Sequence, residues 1–241
     1  MSNFYEEDLA YVHDDGFSNF AHEASKMIID TLRAHSLENG LIIDLGCGSG
    51  IVARVLADNN YKVLGVDKSK SLLNIAEQRV PEADFTAQSF FDVTLPTCQA
   101  IVSTSECFNY LDEKEGEVEA LPLLFKRAYE ALEHGGVFIF DMIGPGNRID
   151  KKYFIEKEDW TMFVHVCEDN KKNELTRDVT LFRKINEHYR KSKELHRVKL
   201  YPHQMIIQWL KNVGFKVQPF EKYNNLFLDE NHYGYFCIKS K

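Results

Sequence analysis

The chain has 241 residues, 44% of them hydrophobic and 27% charged, with 29 Lys and Arg against 37 Asp and Glu for a formal charge of −8. That length supports one large domain with a real core, or one domain carrying a sizeable insertion. The acidic balance argues against DNA as a partner, since phosphate contacts dominate duplex affinity, and no apolar run is long enough to cross a bilayer. The opening MSNFYEEDLA lacks the basic and apolar stretches of a secretory leader. Cys47, Cys98, Cys107, Cys167 and Cys237 are scattered, with no CxxC pair among them. They suit small apolar residues in a reducing, cytoplasmic setting better than a disulfide frame, and no Cys/His grouping has metal-ligand spacing, so no metal is expected.

Helix and strand patterns alternate through the first two thirds. Helical periodicity runs over Phe17–His35, and the apolar run Leu41–Leu45 is short enough for a buried parallel strand. A helix follows over Ile51–Asn59, then a strand over Lys62–Val66 ending in Asp67, then a helix that Ser69 can cap. Asp84–Ala87 and Ala100–Thr104 read as the third and fourth strands. Glu117–Glu133 reads as a helix closed by His134-Gly135-Gly136, with a fifth strand over Gly136–Asp141. Repeated βα units of this length imply a doubly wound parallel sheet. Gly144-Pro145-Gly146 then breaks the pattern, and Trp160–Tyr201 alternates with period two, as two or three antiparallel strands would, with a turn at Asp169–Asn173. Helical spacing returns at His203–Asn212, stopped by Gly214, before strands at Phe215–Phe220 and Tyr233–Ile238. The expected organisation is a core over 1–143 and 202–241, with an inserted antiparallel β cap over 144–201.

The stretch LIIDLGCGSG places Gly46, Gly48 and Gly50 at the carboxyl end of the first strand, where open α/β sheets bind ligands. Glycine allows a sharp turn and a close backbone approach to a bound molecule. The third glycine comes one residue too early for the dinucleotide fingerprint, and the Lys-Ser/Thr ending of a phosphate loop is missing. A carboxylate about 20 residues further on suits a ribose diol, and Asp67 ends the second strand there. The alternative, Asp67 as a cap for the next helix, is weaker because Ser69 already suits that role.

DLGCGSG resembles the first motif of class I S-adenosylmethionine (SAM)-dependent methyltransferases. The resemblance spans about residues 41–141 and implies a Rossmann-like seven-stranded α/β sheet, mostly parallel with an antiparallel C-terminal strand. It implies SAM as cofactor. Asp44 would lie near the cofactor's ammonium, with Gly46, Cys47, Gly48 and Gly50 beside its methionyl and ribose parts. Asp67 and Lys68 follow at the ribose. DFTAQSFFDV resembles the adenine-binding segment, offering Gln88, Ser89 and Phe90, although Phe90 and Phe91 are also natural core residues. STSECFNYL occupies the place beside the sulfonium, offering Ser105 to the cofactor, Glu106 as a base and Asn109 to the acceptor. The N-terminal LAYVHDDGFSNFA is similar to that of small bacterial methyltransferases in which this segment folds over the cofactor. Tyr11, His13 and Phe17 are its lid residues, unless they serve as helix packing. The position of the β insertion resembles that of amino-sugar and glycine-type N-methyltransferases.

Lys171–Lys199 holds ten Lys and Arg against four Asp and Glu, an excess of +6 that leaves −14 for the remainder of a chain totalling −8. Such a cap can draw in an anionic substrate or be a solvated face. Alternation puts Arg177 and Arg183 on one face with Leu175, Val179 and Leu181, and puts Glu194 and His196 on one face with Val198. Charges on a buried face need partners, either among themselves or in a pocket, and Arg177 and Glu194 are the candidates for substrate contact. Glu106 and His196 are expected to face each other across the acceptor site, with the histidine as base. The expected activity is methyl transfer from SAM to an O or N atom of a small molecule. An RNA methyltransferase and a non-catalytic SAM-binding protein remain as alternatives. Monomer and homodimer are both left open.

Overall fold

The computed structural model describes residues 5–110, 120–146, 148 and 150–240. Two helices lead, α1 (Glu7–Gly16) and α2 (Ser18–Ala34). The alternating part follows with β1 (Leu41–Leu45), α3 (Ile51–Asp58), β2 (Lys62–Asp67), α4 (Lys70–Arg79), β3 (Asp84–Ala87), β4 (Cys98–Ser103), α5 (Ala120–Ala131) and β5 (Leu132–Ile143). Four strands come next: β6 (Lys151–Glu156), β7 (Trp160–Asp169), β8 (Glu174–Ile185) and β9 (His188–Lys199). The chain closes with α6 (His203–Val213), β10 (Phe215–Phe220), the short pair β11 (Lys222–Tyr223) and β12 (Leu226–Phe227), and β13 (His232–Lys239).

Seven strands form one sheet in the order β10-β13-β5-β4-β1-β2-β3. Only β13 runs against its neighbours, pairing antiparallel with both β5 and β10. Successive side chains point to opposite faces, so each face can carry its own core. Phe138 and Phe140 join Ile43, Leu45 and Ile101 under α5 and α6, while Val137 and Ile139 join Ile42, Ala100 and Val102 under α2 and α3. Burial on both faces explains why these strands read as continuous apolar runs.

The start of β5 differs from the sequence expectation. The helix predicted over Glu117–Glu133 ends at Ala131, and its residues 117–119 lie outside the described part. Leu132 pairs with Cys98 of β4, so the backbone leaves the helix early to lengthen the sheet, with Gly135 at φ +82° easing the turn. At the other end β5 runs past Asp141 to Ile143, because β13 pairs with it from Val137 to Ile143.

The second sheet has four antiparallel strands in the order β6-β7-β8-β9. Sequence alternation missed β6, an exposed edge strand whose KKYFIE has no buried face to mark it. The inward face of this sheet carries Met162, Val164, Leu175, Val179, Leu181 and Val198, and packs against Leu9 and Val12 of α1. It also carries Arg183 directly opposite Arg190. Two guanidinium groups facing each other across strands repel. Asp8 of α1, buried itself, neutralises both, accepting from Arg190 Nε at 2.7 Å and from Arg183 at 3.3 Å. This contact makes α1 a structural partner of the second sheet.

Candidate active site

The glycine turn sits at the carboxyl ends of β1 and β2. The amides of Gly46 and Cys47 donate to Val66 O at 2.7 and 3.1 Å, so the turn is anchored on β2. Gly46, Gly48 and Gly50 all have positive φ, +75°, +53° and +78°. A side chain at Gly46 would strike Cys107, and one at Gly50 would press on Ala76 of α4. At Gly48 a Cβ would meet open space, since that face looks into the pocket. Asp67 Oδ2 accepts from Gly48 N at 2.9 Å and Oδ1 accepts from Ser69 N at 2.8 Å. Asp67 thus braces the turn, and Ser69 Oγ, accepting from Leu72 N, caps α4. Burial raises the Asp67 pKa, offset in part by the amides of Ser69, Gly48 and Lys68.

Behind the turn lies Asp44 of β1, 1% exposed, with Oδ2 buried and without a hydrogen-bond partner among the described residues. Burial first, and then the charge of Asp67, push its pKa up to about 7. A buried carboxylate oxygen with nothing to accept from is a costly arrangement unless a donor arrives. Gly48, Asp67, Lys68, Leu72 and Phe90 line the pocket in front. These features fit an elongated polar molecule carrying a cationic group, vicinal hydroxyls and a flat ring.

The helix α1 closes this pocket. Its start is held by Glu194 of β9, which accepts from Tyr5 N at 2.8 Å and Glu6 N at 2.9 Å, and by Ser69 Oγ, which donates to Tyr5 O at 2.7 Å. Its end is held by Asp14, bidentate on Arg79 at 2.8 and 2.9 Å, and by Trp160 Nε1 donating to Asp15 at 2.8 Å. One helix therefore ties α4 of the first sheet to β7, β8 and β9 of the second. His13 projects from it between Tyr5, edge-on at 4.9 Å, and Phe17, stacked at 5.8 Å. His13 Nδ1 is buried without a hydrogen-bond partner among the described residues, and burial lowers the pKa to about 4, so the ring is neutral at physiological pH.

Beyond His13 the pocket opens into a chamber of about 810 Å³ beneath the four-stranded sheet. Tyr5, His13, Ser105 and Tyr110 line both spaces and so mark their junction. The chamber wall combines apolar residues such as Met162 and Val179 with a chain of polar contacts. Arg177 forms an ion pair with Glu106 and donates to Tyr110 Oη at 3.3 Å, which lies 2.9 Å from Tyr5 Oη. Burial works against the Arg177 charge, but Glu106, Tyr110 and Tyr5 outweigh it and hold its pKa above the ordinary value. His196 Nε2 lies 2.8 Å from Glu194 Oε2.

Several sequence expectations need correction. Tyr11 does not line the cofactor pocket. Its ring lies under the Arg183 guanidinium, 3.8 Å from the centroid, because α1 turns that face to the second sheet. Gln88 is exposed, and Ser89 Oγ accepts from Phe91 N to shape its own turn, so of that segment only Phe90 reaches the pocket wall. Asn109 is fully buried and takes no part in the chamber wall. Its amide donates to Ile143 O at 2.9 Å and Lys199 O at 2.6 Å and accepts from Ile143 N at 3.0 Å, clamping β5 to the end of β9. Glu194 stands behind the wall, holding α1 and His196. Glu106 and His196 both reach the chamber, but the pairing of Glu106 with Arg177 and of His196 with Glu194 replaces the expected confrontation of the two. The sequence reading missed Tyr5, Tyr110, Asp141 and His232. Asp141 ends the run FIFD, but its place two strands from the glycine turn follows only from the strand order of the folded sheet. Among the described residues no cluster of His, Cys, Asp or Glu is arranged to hold a metal.

The fold and the pocket at its glycine turn define an enzyme of the nucleoside-cofactor type built on a parallel sheet. Residues 42–136 match the family model of a methyltransferase domain. YqeM of Bacillus subtilis (strain 168), which bears a methyltransferase name, is 26% identical over 189 residues, 75% of this chain and 75% of its own. The fold is similar to that of an S-adenosylmethionine-dependent methyltransferase from Clostridium acetobutylicum, with a TM-score of 0.83 at 18% identity, covering 96% of this chain and 98% of the other. It is similar also to SAM-bound CalS10, an amino pentose methyltransferase from Micromonospora echinaspora, with a TM-score of 0.78 at 16% identity over the whole of both chains. Residues 42–136 therefore carry a methyltransferase domain, and the chain is similar along its length to SAM-dependent methyltransferases. Among the described residues no helix is long and apolar enough to cross a membrane.

Proposed function

We propose that the enzyme transfers the SAM methyl group to an O or N atom of a small polar molecule held in the chamber, with residues 144–201 acting as the substrate cap on a core of 1–143 and 202–241. The observation that carries this reading is the chamber itself: a space of about 810 Å³ that shares Tyr5, His13, Ser105 and Tyr110 with the cofactor pocket and is roofed by the second sheet. That size suits a sugar or a comparable metabolite. The amino pentose acceptor named for CalS10 is of this kind.

In this reading Asp44 meets the SAM ammonium, directly or through water, Asp67 takes the ribose hydroxyls and Phe90 packs on the adenine. Gly46, Cys47, Gly48 and Lys68 complete the wall. Bound SAM supplies an electrophilic methyl group on a sulfonium. The protein's own contribution is alignment of the acceptor and exclusion of water, which α1 and the second sheet provide. The Arg177–Glu106 pair fixes polar groups along the acceptor's path.

The test is transfer of labelled methyl from SAM to a panel of amino sugars, hydroxylated sugars and aromatic alcohols, read by mass spectrometry. A methylated amine or hydroxyl is expected, and a panel with no product, alongside methylation of RNA, would overturn the reading. Thermal shifts with SAM and S-adenosylhomocysteine, and none with NAD, are expected of the unmodified chain.

A further inference from the structure

Asp141 is 1% exposed and accepts four hydrogen bonds. Oδ1 accepts from Ser105 N and from Tyr223 Oη, both at 2.9 Å, and Oδ2 accepts from Glu106 N at 2.7 Å and lies 2.6 Å from His232 Nε2. Ser105 and Glu106 are consecutive left-handed residues, φ +67° and +54°, a conformation costly outside glycine. The Asp141 carboxylate holds both amides and so sets the rim where the cofactor pocket meets the chamber. His232 extends this arrangement into the chamber wall. It stands on β13 opposite Ile143 of β5, its side chain is 11% exposed, and its ring lies parallel to that of Phe20 with centroids 6.0 Å apart.

Asp141 as a carboxylate only accepts hydrogen bonds, so the shared proton belongs to His232 Nε2. A neutral ring then carries its lone pair on Nδ1, which no described residue engages. We propose that His232, oriented by Asp141, is the base that receives the proton of the methyl acceptor, an inference that rests on the small-molecule reading above. The acceptor's N or O lone pair forms the new bond to the methyl carbon. The carbon–sulfur bond breaks with its electron pair on sulfur, giving S-adenosylhomocysteine, and the proton of the acceptor passes to Nδ1. The resulting imidazolium is held by the Asp141 carboxylate, as a positioned histidine–carboxylate pair requires. Glu106 is less suited because it is paired with Arg177, and His196 because its side chain is 3% exposed and its partner Glu194 also holds the amides of Tyr5 and Glu6. The groups around His232 are Asp141, Glu106, Asp229 and, through Asp141, Tyr223, with Phe20 of α2 against its ring. Burial alone would lower the His232 pKa, but the bond to Asp141 and the nearby carboxylates raise it.

The experiment uses the full chain with S-adenosylhomocysteine bound and histidine labelled with ¹⁵N. The neutral His232 ring should carry its proton on Nε2, and Asp141→Asn should weaken its proton affinity about tenfold or more, the scale of losing one charged neighbour. A neutral ring protonated on Nδ1, or a midpoint unmoved by D141N, overturns the proposal with no acceptor in hand. Should D141N not fold, the tautomer of the unmodified chain and the variant His232→Gln decide. With an acceptor from the panel, H232Q should lower kcat by roughly 10²–10⁴ and remove the rise of rate with pH, leaving SAM affinity unchanged. Turnover within threefold of the unmodified enzyme, with its pH profile intact, sinks the dyad and leaves the small-molecule reading standing. Absence of any product from the panel, alongside methylation of RNA, sinks that reading instead, and the tautomer still judges the dyad.

Discussion

Asp44 combines a buried Oδ2, unpartnered among the described residues, with a pKa raised to about 7 by burial and by Asp67. A raised folded-state pKa on an acid has a definite sign. The apo fold favours the protonated carboxyl, so this group's contribution to stability declines as pH rises from the ordinary carboxylate range through about 7, and is constant above. A cation beside the carboxylate reverses the shift. SAM binding near pH 7 should therefore release a fraction of a proton, seen by calorimetry in buffers of different ionisation enthalpy. Asp44→Asn should abolish that release and weaken SAM binding by about 1.5–3 kcal/mol, the range for a hydrogen bond to a charged group. The same variant should melt higher than the unmodified apo protein at pH 8 and no higher at pH 4. Unchanged proton release in D44N would remove Asp44 from the ammonium. Asp44 was readable from the sequence because acid, strand and glycine turn lie in one short stretch. Asp141 and His232 were not, because their meaning arises only when β5 and β13 pair and bring residues 91 positions apart to 2.6 Å.

At the scale of elements, α1 is the part that sequence patterning described least well and the structure uses most. Its EDLAYVHDDG has too few apolar positions for a clear helical stripe. The helix is fixed by long-range ionic contacts that no local pattern records: Asp8 on Arg183 and Arg190, Asp14 on Arg79, and Glu194 on its first amides. The strands β8 and β9 were legible for the complementary reason, since their inward charges fall on an alternating apolar face. Because Tyr5 and His13, at the start and on the face of α1, line the junction of pocket and chamber, SAM exchange is expected to quicken when the helix loosens. Asp8→Asn should destabilise the closed helix by about 1–3 kcal/mol, allowing for the partial exposure of Arg190. Hydrogen exchange at α1 amides should then speed up by roughly tenfold or more, and S-adenosylhomocysteine dissociation should quicken with it. Equal exchange rates in D8N and the unmodified chain would show that the helix is held by its apolar face alone. Acid should act in the same direction. The His13 pKa falls to about 4 on burial, so the stability linked to its neutral ring is fully present above the ordinary histidine range and lost as pH falls from about 6.5 to 4.

For the whole molecule the deciding quantity is where the charge lies. The chain totals −8, yet Lys171–Lys199 carries ten Lys and Arg against four Asp and Glu. Read from sequence alone, that excess keeps an RNA substrate in view. In the folded protein much of it is directed inward or paired. Arg177 meets Glu106, Arg183 and Arg190 meet Asp8, Lys172 meets Asp169 and Lys199 meets Glu174. Lys171, Lys184, Lys191, Lys193 and Arg197 are exposed, sharing the outer surface with Tyr189 and Leu195 and set on an acidic body. Single-stranded nucleic acid gains affinity through counterion release, with a salt slope of about −0.7 per phosphate contact. These five cations, if all engaged, give a slope of about −3.5 by that rule. The net charge opposes even that. Retention on immobilised RNA should therefore be weak at 50 mM salt and gone by 150 mM. The triple charge reversal Lys184→Glu, Lys191→Glu, Lys193→Glu should leave methyl transfer to a small acceptor within about threefold, as exposed charges far from the chamber contribute little to chemistry inside it. Tight retention at 300 mM salt, or loss of methyl transfer in the reversed variant, would return RNA to the position that the chamber gives to a small molecule.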